Sequence, residues 1–268
     1  MAELAVVYDT KPVVRTASDI ICRKGAGGDR CGGRRGPKAT GKWLTSSLTC
    51  DIAGVIAAGF EEAERRDPRH ERTWVALVDG NRTQIEAIQA EAAARGVTVH
   101  IVVDFVHVLE YVWKAAWSFF DTGDPDAEAW VASQATKILE GKAAQVAAGI
   151  RRRASTYGYS AAERAGADTC AGYLTAKKPW LDYATALAAG WPIATGSSRG
   201  AARWLVKDRM DITGARWGLQ GAEAILALRA LINCGDFDAY WRFHQQQEHR
   251  RVHQSRYQQR RDDLMLAA

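Results

Sequence analysis

The sequence predicts an α/β protein, with an α/β unit first and helices after it. Three observations carry this expectation. Residues 73–117 read as strand, helix, strand, helix. The two apolar runs in that stretch, WVALV and VHIVV, are short, rich in valine and bounded by turn or polar residues, which is the composition of buried parallel strands. The chain beyond residue 126 is dominated by alanine-rich and helix-spaced segments, so helices are expected to cluster after the α/β unit.

The elements follow in order. Residues 4–8 form a short strand candidate ending at Asp9, and residues 10–21 are irregular. Residues 22–42, CRKGAGGDRCGGRRGPKATGK, are glycine-rich and basic. Such a stretch buries too little apolar surface to order itself, so it reads as a flexible loop, either touching phosphates or simply solvated. Residues 51–66 have helical spacing behind an aspartate N-cap, and Asp67-Pro68 stops them. The strand-helix-strand-helix unit comes next, and DTGDP at 121–125 ends it. Residues 126–153 are strongly helical with a break at Gly141. Ser160 opens a helix through a capping box with Glu163, running to about residue 175. Lys178-Pro179 closes that region, and residues 182–189 give a short helix. Residues 190–200, GWPIATGSSRG, form the next breakpoint. Residues 201–207 make a helical turn or two, 214–218 are irregular, 222–234 an apolar helix and 237–261 a long polar helix. No internal repeat is present.

Of the 268 residues 47% are hydrophobic and 25% charged, as in an ordinary globular protein. A net charge of +5 leans towards an anionic partner, nucleic acid first. The five cysteines contain no CxxC pair, which disfavours a disulfide framework or a structural zinc site. No apolar run approaches the ~20 residues of a membrane span, and the N-terminus has no signal-peptide pattern, so a cytoplasmic protein is expected.

Each strand of the central unit ends on an aspartate, Asp79 and Asp104. In open α/β sheets chemistry gathers at the carboxyl ends of strands, and hard divalent cations take carboxylate oxygens. Either aspartate could equally be a cap or turn residue. His107 lies three residues after Asp104 at a helix opening, so both could serve one metal or phosphate, or His107 could pack or cap. Lys207, Asp208, Arg209, Arg216 and Trp217 make a compact basic cluster that could hold a phosphate, or form an ion-pair network through Asp208 and Asp211. His249 and His253, four apart, read as a wet helix face without a third ligand. There is no Walker loop, GxGxxG fingerprint or GxSxG elbow.

Five stretches together carry a family resemblance: WVALVDGNRTQI, VDFVHVLEYVWKAAW, WPIATG, LVKDRMDITGARWGLQGAEAILALRAL and GDFDAYWRFH. In these the chain resembles bacterial insertion-sequence transposases of the Kra type, which carry a DDE catalytic centre. The resemblance implies a ribonuclease-H-like fold with a mixed sheet. It divides the chain into a partial α/β core at 1–120, an all-helical insertion at 121–190 and a C-terminal helical part at 191–268 that completes the core. It also implies three carboxylates holding two divalent metals, normally Mg2+, which cleave and join phosphodiesters. Asp79 then corresponds to the second carboxylate and is the metal ligand, with Asp104 and His107 as a supporting pair. Arg203, Lys207, Arg209, Arg216 and Trp217 would contact the DNA of insertion-sequence ends. Partners would be that DNA, a second copy, or an intact transposase.

Two departures qualify these implications. The family's first aspartate lies on an opening strand upstream of anything here, so the sheet is expected to lack that strand. It should then expose an edge at residues 4–8 or 74–78, favouring self-association and oligomers. Arg199 stands where the family has its catalytic glutamate, and Ala202 and Trp204 stand where it usually shows cysteine and histidine. An arginine cannot be deprotonated in a protein and repels a metal. The chain is therefore expected to be catalytically defective alone. The alternative functions are a non-catalytic DNA-binding protein or a regulator that pairs with an intact transposase, and a working enzyme whose first aspartate comes from another chain or reading frame.

Overall fold

The computed structural model describes residues 2–21, 33–212 and 214–254, and the chain is mixed α/β. It opens with β1 (Glu3–Thr10), a single turn α1 (Ala17–Ile20) and β2 (Ala39–Ser47). Helix α2 (Ile52–Arg66) leads to β3 (Trp74–Val78), α3 (Arg82–Arg95), β4 (Val99–Val103) and α4 (Phe105–Ala116). Helices then take over: α5 (Pro125–Leu139), α6 (Ala143–Thr156), α7 (Ala165–Ala176) and α8 (Tyr183–Ala188). The C-terminal part holds α9 (Gly196–Ala202), a π-helical stretch Arg203–Lys207, α10 (Asp208–Met210), α11 (Leu219–Cys234) and α12 (Phe237–His249).

The helix starts are set by local chemistry. Asp51, Asn81, Asp104, Asp124 and Asp182 each cap a helix, their side chains accepting from backbone N–H groups just inside it. Pro125 occupies the first turn of α5, where a missing N–H costs nothing. Gly141, at φ +81°, separates α5 from α6.

β3 and β4 pair in parallel, Trp74 opposite Val99 through Val78 opposite Val103. α3 crosses between them, and α4 to α8 wrap the unit into one apolar core. Alanines at 115, 116, 135, 147 and 171 are almost fully buried, so α4, α5, α6 and α7 approach closely. A smaller cluster joins the antiparallel pair β1–β2 to the C-terminal helices through Leu44, Ala201, Leu205 and Ala230. It is clasped by Glu223 on α11, whose carboxylate accepts from the Ser47 hydroxyl, from Leu48 N at 2.7 Å and from Thr49 Oγ1 at 3.3 Å.

The clasp predicts a pH dependence. Burial raises the Glu223 carboxyl, but the three hydrogen bonds outweigh it and hold the group below its ordinary 4.5. A depressed folded value means the clasp contributes fully above the unfolded value and is lost as pH falls through the folded one. In urea unfolding at a series of pH values, the native chain is expected to exceed Glu223→Gln at pH 7. The difference should shrink below about pH 4.5. A pH-independent difference would remove the carboxylate from the account.

Several expectations need correction. The predicted flexible loop 22–42 overlaps β2, because pairing with β1 orders residues 39–42 despite their glycine; residues 22–32 lie outside the described part. The box at Ser160 forms, with Ser160 N donating to Glu163 at 2.7 Å, but it shapes a turn, and helix α7 starts five residues later. The polar helix predicted for 237–261 is α-helical to His249 and π-helical over Arg250–Gln254; residues 255–261 lie outside the described part. Among the described residues the strands do not form one mixed sheet. They form two separate pairs, β1–β2 and β3–β4. Among the described residues, no helix is long and apolar enough to cross a membrane.

Candidate functional site

The parallel strands end side by side. The residue after each is an aspartate, and Asp104 N donates to Val78 O at 2.7 Å, fastening the two ends together. Asp79 is exposed. Its Oδ1 accepts from Asn81 N at 2.8 Å, which shapes the Asp-Gly-Asn turn into α3. Gly80 sits at φ +92°, and a Cβ there would lie 2.7 Å from the Tyr173 hydroxyl, so both backbone angle and space demand glycine.

That hydroxyl belongs to α7 and donates to the Asp79 carbonyl at 2.9 Å. The Tyr173 ring stacks on Tyr111 of α4 at 3.9 Å, and His107 stands edge-on to both at 5.9 and 5.3 Å. His107 Nδ1 lies 3.1 Å from Glu110 Oε2. Burial first, then Tyr111 and the carboxylates of Asp79, Asp104 and Glu110, push the Tyr173 phenol far above its ordinary range. It stays protonated near neutrality and acts as a donor.

Asp104 is 2% exposed. Its Oδ1 accepts from Val106 N at 2.9 Å, capping α4, and its Oδ2 accepts from the Thr195 hydroxyl. Phe105 N donates to Ile193 O at 2.9 Å. Residues 193–195 are thereby docked on the end of β4 and lead directly into α9, the helix that contains Arg199. Three motifs far apart in sequence, at 79, 104–107 and 193–195, meet at one end of the parallel pair. The Arg199 side chain lies outside the described residues.

The donors fit a two-metal centre poorly. Asp104 spends both oxygens on the cap and on Thr195, which leaves Asp79 as the exposed carboxylate of the two. Among the described residues, no three His, Cys, Asp or Glu side chains are grouped to hold a metal ion. Of the two meanings open for Asp104, the cap is realised. For His107 the structure gives an ion-pair geometry with Glu110 and an aromatic setting. His249 and His253 have rings 4.8 Å apart on the polar C-terminal segment.

The basic cluster lies on the π-helical stretch, on α10 and on the loop after it. Arg203, Lys207, Arg209 and Arg216 are exposed. Arg203 Nε lies 3.5 Å from Asp208 Oδ1, and the Arg209 guanidinium sits 5.7 Å from the Trp217 ring centre. Trp217 is 37% exposed, so an aromatic face and several cations share one surface. Arg229, which the sequence did not single out, lies over Trp204 at 4.3 Å and donates to its carbonyl.

Tyr111, Tyr173, Thr195 and Glu110 were not legible as site residues. Glu110 stands at i+3 from His107 and could have been paired by spacing. Thr195 and Tyr173 reach the strand ends from 91 and 94 residues away, a convergence no local pattern reveals. No protein-family model, no curated protein and no solved structure matches this chain.

Proposed function

We propose that this chain is a DNA-binding protein built on the ribonuclease-H-like plan of DDE transposases, and that it neither cuts nor joins DNA by itself. The observation that carries the proposal is the meeting of Asp79, the Asp104–His107 turn and residues 193–195, which lead into α9, at the carboxyl end of β3 and β4. Those are the three places where the sequence resembles that family's catalytic motifs. Phosphodiester chemistry of this kind needs carboxylates converging on two divalent ions. Here one aspartate is exposed, one is buried under a helix cap and a threonine, and the residue at the family's glutamate position in the sequence is Arg199. Magnesium would have Asp79 as its main ligand, too little for stable binding. What remains is anion recognition. Arg203, Lys207, Arg209 and Arg216 supply phosphate contacts, and Trp217 supplies a stacking face.

Fluorescence anisotropy on a labelled 30-base-pair duplex over a salt series tests this. The native chain is expected to bind with a log-log salt slope of several. The fourfold variant Arg203→Ala/Lys207→Ala/Arg209→Ala/Arg216→Ala should lose about 0.9 of slope per phosphate contact removed. Absence of binding at low salt, or an unchanged slope, would sink the proposal. Cleavage of the duplex with magnesium would contradict its second half.

A further inference from the structure

The end of α6 carries an arginine with no acceptor of its own. The Arg153 guanidinium carbon lies 4.6 Å from the ring centres of Phe119 and Phe120, 5.9 Å from Trp130 and 6.0 Å from Tyr157. The rings also support one another, Trp130 standing edge-on to Phe119 at 5.6 Å and tilted to Phe120 at 6.0 Å. Cation–π contact fixes the guanidinium in place and satisfies none of its N–H groups. Among the described residues Arg153 makes no hydrogen bond and no ion pair, and its nitrogens are not sealed from water. A fixed guanidinium with free donors is a receptor for a carboxylate, which it takes through two parallel hydrogen bonds. Little side-chain entropy is lost in the capture, because the cage has already ordered the arginine.

The complementary charge stands on the neighbouring segment. Asp121 follows Phe120 directly, and Asp126 lies one turn before Trp130 on the same face of α5. Both are exposed, and among the described residues neither side chain makes an ion pair. Within one chain the acids and the arginine border the same ring cluster without meeting. A patch with a positive half beside a negative half is self-complementary, because a two-fold rotation brings each half onto the other. A nucleic acid fits it poorly, since a phosphodiester chain would face Asp121 and Asp126 as well as Arg153. Tyr157, 71% exposed, adds an aromatic surface beside the charges, and Tyr and Arg are the residues that anchor protein interfaces.

We propose that the caged Arg153 is a carboxylate receptor whose ligands are Asp121 and Asp126 of a second copy of this chain. Two copies then pair through reciprocal arginine–carboxylate contacts between the end of α6 and the start of α5. Unlike pairing through open strand edges, this interface depends on charge and lies on the helical part of the chain.

Sedimentation velocity over a dilution series of the full chain tests this, with melting curves showing which variants are folded. The native chain is expected to dimerise, and more weakly as salt rises. Arg153→Glu and Asp121→Lys/Asp126→Lys should each raise the dimer dissociation constant about 100-fold, since the two-fold axis repeats every change. An equimolar mixture of these two variants should recover dimers of native strength. In the mixed pair one contact is native and the other has both charges reversed. Arg153→Gln removes the charge without placing a new one against the rings, and should weaken the dimer about tenfold whether or not Arg153→Glu folds. A native chain that stays monomeric throughout overturns the proposal. So does a dimer that Arg153→Gln and Asp121→Lys/Asp126→Lys leave unchanged, because strand edges or another face would then hold it. A mixture of the two folded charge-reversed variants that remains monomeric overturns it as well.

Discussion

Asp104→Ala is expected to lower the unfolding free energy by about 3 kcal/mol. Removing a helix cap costs about 1 kcal/mol, and stranding the part-buried Thr195 hydroxyl adds 1–3. The carboxylate sits at 2% exposure where β4, α4 and the 193–195 segment meet, so little water can replace it. Asp104→Asn keeps the cap oxygen and an amide partner for Thr195, and should cost about 1 kcal/mol. Urea unfolding separates the two variants. Alanine and asparagine variants within 0.5 kcal/mol of the native chain, an order-of-magnitude threshold, would show that the latch contributes little. If the loss is large but exchange of the Phe105 amide is unchanged, the latch does not hold the 193–195 segment.

The second large effect lies one residue earlier on the strand. Tyr183 of α8 is fully buried, its ring edge-on to Phe105 at 5.2 Å and its hydroxyl donating to Val103 O at 2.8 Å. Burial, with Tyr173 and Asp104 nearby, pushes its phenol far above the ordinary value, so it remains a donor. Tyr183→Ala is expected to cost about 4 kcal/mol through the cavity it leaves, and Tyr183→Phe about 1 kcal/mol through the unsatisfied strand-end carbonyl. The gap between the two isolates the ring. It should appear as a melting-temperature difference of about 6–12 °C between the variants. Equal losses for Ala and Phe would mean that the hydrogen bond, not the packing, positions the end of β4.

Both residues explain why part of the site was legible and part was not. WVALV and VHIVV carry their own period and boundaries, so the parallel strands and their terminal aspartates could be read directly. Asp51, Gly141 and DTGDP mark their breaks by local chemistry. β2 could not be read, because ATGKWLTSS is polar and glycine-containing and becomes a strand only against β1. Among the described residues β1 pairs only with β2 and β3 only with β4, so each strand has an edge with no described strand on it. Asp104 shows the limit most clearly. A strand-end aspartate can serve a metal or cap a helix, and the choice depends on Thr195, 91 residues away.

The most direct test of the site is manganese binding by calorimetry on the native chain, Asp79→Ala, Arg199→Glu and Arg199→Glu/Asp79→Ala. The account predicts no binding heat for the native chain at millimolar metal, weak binding gained by Arg199→Glu, and its loss in the double variant. Manganese binding by the native chain that disappears with Asp79→Ala would contradict it, because a working metal centre would then survive at the end of β3.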